Sequence, residues 1–337
     1  MTAVIEFRDA ILQALDEELG RDERVVFFGE DVAEAGGVFA VTGGLREKHG
    51  PDRVFDTPIS ELAITGAAFG SAVCGLRPVI EIMFGDFLGL SMDSLVNQAA
   101  KFFYISAEQA SVPLVVRSAV GAGGRFGAMH SQLPANWFMN VPGLKIVAPS
   151  FPADARALLK ASVRDENPVL FLEHKRLYAI KAPVHGEEVA ELGRARTVRD
   201  GTDVTLVSAM KGTHDCLAAA EQLARSGIDA EVIDLRTLRP LDVETILRSL
   251  ARTNRLVVVE EGPLTGGWAG EVIALLAEHG LHDIDDIWRL ATPDHPIPYS
   301  PPLEDAFLPG AEAIAASVAG RLGSSGAAPE PMYSPVS

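Results

Sequence analysis

The chain has 337 residues, 47% hydrophobic and 22% charged, which falls in the globular range and supplies apolar material for two cores. Its 29 basic and 46 acidic residues give a formal charge of −17, which argues against DNA or an acidic lipid surface as partner. Only Cys74 and Cys216 are present, in different halves, so no disulfide framework is expected; Cys74, inside AAFGSAVCGL, reads as a small core residue.

The N-terminal segment carries acids where a signal peptide would be basic and then apolar. No run reaches about 18 uninterrupted apolar residues, so no membrane span is expected and the cytoplasm is the default location.

In chain order, Ile5 to Leu19 reads as an amphipathic helix. RVVFFGED is a buried strand ending in acids, RVFDTP a second strand, and Ser60 a cap for the helix ELAITGAAFGSAVCGL. RPVIEIMFGDF is a strand, MDSLVNQAAKFFYIS a helix, VPLVVRSAV a strand; GLKIVAPS, ADARALLKASVRD and NPVLFLEHK repeat the rhythm. The pattern weakens from about Lys181 to Gly201. It then resumes with the strands DVTLVSAM, DAEVIDLR, NRLVVVEEG and DIWRLATPD, separated by helices, and a last helix follows IPYSPPLEDAFLP.

Apolar strands alternating with helices imply an α/β protein with parallel sheets covered on both faces. The expected domains are 1–185 and 202–322, joined by a linker over 186–201 and followed by a disordered tail over 323–337. Reactive groups in such sheets gather at the C-terminal strand ends.

Glu61 is the only charged residue between Asp56 and Arg77. It is either a first-turn acid favoured by the helix dipole or a carboxyl in a dry pocket that holds or shares a proton. His130 follows Gly121, Gly123, Gly124 and Gly127 in a loop after a strong strand. It is either a turn-capping histidine or an acid/base group, with glycines that admit unusual backbone angles and close ligand approach. The glycine spacing fits neither a dinucleotide fingerprint nor a phosphate-binding loop. Glu30 and Asp31 end a strand where a ligand is expected or where solvated loop acids are common. Phe87 is either core or a flat face offered to a ring.

The runs FFGEDV, GLREKHGPDRVFDTPISELAITGAAFGSA, GLRPVIEIMFGDF, NQAAKF, HSQ, PGLKIVAPS, RDENPVLFLEHKRLY, VIDLRTLRPLD and PIPY resemble, in order from about Ile5 to Leu322, one family. It is that of the β subunits of the decarboxylating component of 2-oxo acid dehydrogenase complexes. The resemblance implies two doubly wound α/β domains, a transketolase-like pyrimidine-binding domain and a transketolase C-terminal domain.

It further implies thiamine diphosphate as cofactor, with magnesium held mainly by an α subunit. This chain lacks any Gly-Asp-Gly, in keeping with a subunit that grips only the pyrimidine end. The resemblance implies a heterotetramer of two α and two β chains, an acyltransferase partner bearing lipoyl groups, and a small 2-oxo acid or acetoin as substrate. By position, Glu61 would hydrogen-bond N1′ of the aminopyrimidine, Phe87 would stack on it, and Glu30, Ile59, Ser60 and Met83 would line the pocket. His130 of HSQ would be the acid/base group in acyl transfer. The carbonyls of Leu114 and Ser162, with Asp165 and Asn167, match a potassium site of some members.

After HSQ this chain continues Leu133-Pro134-Ala135-Asn136-Trp137, where branched-chain members carry Ser-Pro-Glu, and EIMFGDF lacks their Gln. Both departures favour pyruvate or acetoin over branched-chain substrates. The competing readings are a branched-chain β subunit, a single-chain transketolase or deoxyxylulose-phosphate synthase relative, and a non-catalytic scaffold.

Overall fold

Two parallel-sheet units form from the alternating apolar strands and helices. The computed structural model describes residues 4–184, 189–280 and 284–323. The tail expected over 323–337 lies outside the described residues from 324 onward, as does the 186–188 part of the expected linker. The first unit runs to Arg194 and takes back Arg236–Pro240; the second comprises Ala195–Leu235 and the chain from Leu241 onward.

The first unit opens with β1 (Val4–Glu6) and α1 (Phe7–Arg21). The helix thus starts two residues later than its periodicity suggests. Glu6 and Asp9 form a reciprocal capping box, which fixes the start at Phe7, while Ile5 pairs antiparallel with Ala182. Next come β2 (Val25–Gly29), α2 (Leu45–His49), β3 (Val54–Asp56), α3 (Glu61–Val73) and β4 (Arg77–Ile82).

The single helix expected over MDSLVNQAAKFFYIS is three pieces: α4 (Leu88–Met92), a π-helical stretch at Asp93–Ala99, and α5 (Ala100–Ile105). The unit continues with β5 (Val115–Val120), β6 (Lys145–Val147), α6 (Pro152–Arg164), β7 (Val169–His174) and β8 (Lys181–Pro183).

The second unit holds β9 (Arg196–Arg199), β10 (Val204–Ser208), α7 (Lys211–Ala224) and β11 (Ala230–Asp234). The chain then supplies β12 (Thr237–Arg239) to the first sheet before returning with α8 (Val243–Thr253), β13 (Arg255–Pro263), α9 (Trp268–Gly280), β14 (Asp286–Thr292), α10 (Pro301–Phe307) and α11 (Ala311–Gly323). Its sheet runs β14-β13-β10-β11-β9, parallel except at β9. Val204, Leu206, Val232, Val257, Trp288 and Ile314 belong to its core.

The first sheet runs β12-β6-β7-β5-β4-β2-β3, parallel except at β12. Strands β2, β4, β5 and β7 are buried at every position, as continuous apolar runs require. The chain passes from β2 outward to β3, then crosses back through α3 to β4 on the other side of β2. The strand order therefore reverses at β2 and β4, and a crevice opens at their C-terminal ends.

One sequence expectation changes here. Cys74 is exposed, not core: it ends α3, whose outward face also shows Leu62 and Val73. That helix is apolar all round, so periodicity cannot tell which side the sheet covers. Cys216 is buried in α7, and burial pushes its thiol up. Strands β8, β9 and β12 were hidden because each is three or four residues long and lies at a sheet edge. Among the described residues no helix is long and apolar enough to cross a membrane.

Candidate functional site

The C-terminal ends of β2, β4, β5 and β7 lie side by side. Glu30 follows β2, Met83 follows β4, and the glycine loop carrying His130 follows β5. A Cβ at Gly29 would fall 2.7 Å from the Glu81 carbonyl, so only glycine lets β2 and β4 run this close at the crevice.

Glu61 opens α3 and is 7% exposed, the same as Glu30. Ser60 occupies the N-cap position, yet its hydroxyl makes no capping bond. Its backbone N–H lies toward the Glu30 carboxylate and favours the charged form of that group. The Thr57 N–H donates to the Gly29 carbonyl at 2.9 Å, which pins the turn before Glu61 to the end of β2. The two acids therefore share one corner of the crevice. Burial raises the Glu30 carboxyl above its usual range and the Glu61 charge adds to this, against the Ser60 N–H. The Oε1 of Glu30 is buried without a hydrogen-bond partner.

This orphaned oxygen beside a second buried acid fits a hydrogen-bonding ring such as an aminopyrimidine. Ile59 and Ser60 face outward, Ile59 at 84% exposure, while Met83 and Phe87 are half-buried.

A test of the Glu30 environment follows from its sign. The carboxyl binds its proton more tightly folded than unfolded. Its stability contribution is complete below the unfolded value of about 4.5 and is lost as pH rises through the folded value. Glu30→Gln removes that loss. The variant is expected to melt above wild type near neutrality, with the gap closing below about pH 4.5. Parallel melting curves across that range would show that folding does not raise the Glu30 carboxyl.

Phe87 and His130 are brought together, their ring centroids 5.4 Å apart and nearly perpendicular. Phe84 is buried and meets the His130 ring edge-on at 4.7 Å. The loop closes where the Gly121 N–H donates to the Gln132 carbonyl at 3.1 Å, and the Gln132 amide donates to Asp86 at 2.9 Å. Its first glycines serve internal packing: a Cβ at Gly121, where φ is +90°, would fall 2.2 Å from the His174 ring. The close approach expected of a ligand there is made by His174.

Beneath these groups lies a charged cluster that sequence reasoning passed over. Arg117 on β5 donates to both carboxylate oxygens of Glu173 on β7, at 2.7 and 2.9 Å, and to Glu81 on β4 at 2.9 Å. The Tyr178 hydroxyl donates to Glu173 at 3.0 Å. Burial works against the Arg117 charge, but the carboxylates of Glu173 and Glu81 outweigh it and keep the guanidinium ionised. Burial raises the Glu81 carboxyl, against the pull of Arg117. The signal was present as charged residues, Glu81, Arg117 and Glu173, inside three otherwise mostly apolar strands.

Ser162, Asp165 and Asn167 lie at and just beyond the C-terminal end of α6, and Leu114 just before β5; their polar groups are engaged. The Leu114 carbonyl accepts from Val169 N–H at 2.8 Å, and the Ser162 carbonyl accepts from Asp165 N–H at 3.3 Å. The Asp165 carboxylate accepts from the Asn167 side chain and from the Lys145 ammonium. Arg77 donates to the Asp165 carbonyl at 2.7 Å. Two side-chain cations already serve Asp165.

Comparison with known proteins agrees with this architecture. Residues 3–181 match the transketolase pyrimidine-binding domain and residues 193–314 the transketolase C-terminal domain. The β subunit of acetoin:2,6-dichlorophenolindophenol oxidoreductase from Cupriavidus necator is 44% identical over 94% of this chain and 97% of its own length. The mitochondrial pyruvate dehydrogenase E1 β subunit of Dictyostelium discoideum is 45% identical over 91% of this chain and 88% of its own. The 2-oxoisovalerate dehydrogenase β subunit of Bacillus subtilis is 44% identical over 94% and 98%. Among solved structures, a split-gene transketolase described as an inactive β4 tetramer shares the fold, with a TM-score of 0.78 at 24% identity over 95% of this chain and 98% of that one. With both domain models matched in order and such identity along nearly the whole chain, this protein belongs to the family of β subunits of 2-oxo acid dehydrogenase E1 components.

Proposed function

We propose that this chain is the β subunit of a pyruvate- or acetoin-type 2-oxo acid dehydrogenase, catalytically competent only with an α subunit and thiamine diphosphate. The carrying observation is the buried pair Glu30 and Glu61 at the strand-order reversal, with one oxygen left unpartnered. Thiamine diphosphate, when bound, supplies a carbon nucleophile for the 2-oxo group and holds the electron pair left by departing carbon dioxide. Glu61 hydrogen-bonds the aminopyrimidine ring nitrogen and shares its proton. Glu30 accepts from the ring's donor side, and Phe87 offers it an aromatic face with Ile59, Ser60 and Met83 around it.

His130 donates a proton to the sulfur released as a lipoyl disulfide opens during acyl transfer. The α subunit holds the diphosphate through magnesium, and two α and two β chains assemble into the working enzyme. The outward-facing Ile59 and Ser60 support a site completed by another chain. No step is assigned to potassium.

The test is expression with and without the α chain, supplied with thiamine diphosphate and magnesium. The isolated chain is expected to show no decarboxylation, and the pair is expected to turn over pyruvate or acetoin at least about tenfold faster than branched 2-oxo acids. Activity of the isolated chain would overturn the split site. The branched-chain relative, as similar as the acetoin one, makes faster turnover of branched acids the specific alternative outcome.

A further inference from the structure

Lys175 begins the short turn directly after β7 and is only 9% exposed. Its ammonium crosses to the loop after β5 and donates to the backbone carbonyl of His130 at 2.5 Å. It also lies over two aromatic rings, 5.3 Å from the centroid of Phe84 and 5.5 Å from that of Phe126. Phe84 follows β4 and touches the His130 ring, while Phe126 belongs to the same loop as His130.

One buried cation thus ties together the ends of three adjacent strands. A buried ammonium is stable only where oxygens and ring faces replace its water, so this position is specified rather than incidental. A charge-assisted hydrogen bond to the backbone of His130 restrains the loop at that residue, which a side-chain contact alone would not do.

We propose that Lys175 is a positioning residue for the reaction, holding the His130 loop so that the imidazole meets the acyl acceptor. This rests on the acid/base role given to His130 above. Lys175 need not touch substrate or cofactor: it acts through the His130 carbonyl and through the Phe84 and Phe126 rings that pack around it.

The experiment uses the assembled enzyme and reads two rates, acyl transfer to a lipoyl domain and decarboxylation coupled to an artificial electron acceptor. Lys175→Met is expected to lower the ratio of the first rate to the second by about ten- to a hundredfold, as small misplacements of catalytic groups do. Lys175→Arg restores most of that ratio, since it keeps a cation able to donate. In a His130→Ala background Lys175→Met is expected to add less than about twofold, because two changes acting through one group do not add.

An unchanged ratio in Lys175→Met, with His130→Ala impaired, overturns this proposal alone; so does full additivity in the double variant. Normal acyl transfer in His130→Ala overturns the role of His130 and the present inference with it. If Lys175→Met does not assemble, Phe126→Leu removes one of the two ring faces at an exposed position. It is expected to lower the same ratio about two- to threefold, and an unchanged ratio there overturns the proposal.

Discussion

Glu61→Ala, assembled with the α chain and saturated with thiamine diphosphate, is expected to lose decarboxylation by about a hundred- to a thousandfold. The reason is local. Glu61 sits at the first position of α3, buried beside Glu30, on a turn pinned to the end of β2. Alanine removes the only group at that position able to exchange a proton with the pyrimidine. Glu61→Gln keeps size and hydrogen bonding but not acidity, so it is expected to bind cofactor nearly as well and still turn over slowly. Cofactor binding by calorimetry and carbon dioxide release separate these effects. Turnover of Glu61→Ala within about threefold of wild type would remove Glu61 from the mechanism.

Arg117→Met is expected to destabilise the chain by about 3–5 kcal/mol, because it leaves the carboxylates of Glu81 and Glu173 buried without their cation. For a unit of this size that is a fall of roughly 10 °C in melting temperature. The loss is not one of packing, since methionine fills much of the same volume. Adding Glu81→Gln in the Arg117→Met background is expected to recover part of the stability by neutralising one of the stranded acids. A single variant melting within about 2 °C of wild type would mean that the cluster contributes little beyond its shape. The cluster joins β4, β5 and β7 immediately below Phe87, His130 and Lys175, so the same variant is expected to lower activity before it lowers yield.

Much of this was legible in one dimension. The rhythm of buried strands and helices, the lone acid of the α3 start and the histidine after a glycine-rich strand end are properties of short windows, and local windows encode burial and periodicity. Other features depend on which strands become neighbours. The partners of Glu81, Arg117 and Glu173 lie 36 and 56 residues apart. Glu30 and Glu61 meet because β2 sits at the point where strand order reverses. The exposed side of α3, and with it Cys74, depends on which face the sheet covers.

By itself, then, the chain's sequence determined the α/β class, the family and the identity of Glu61, Phe87 and His130 as candidates. Tertiary structure alone decided that His174 fills the space beside Gly121 and that Lys175 holds the His130 carbonyl. The physical reason is that periodicity reports whether a side chain is buried, whereas strand order, a non-local property, decides what it is buried against.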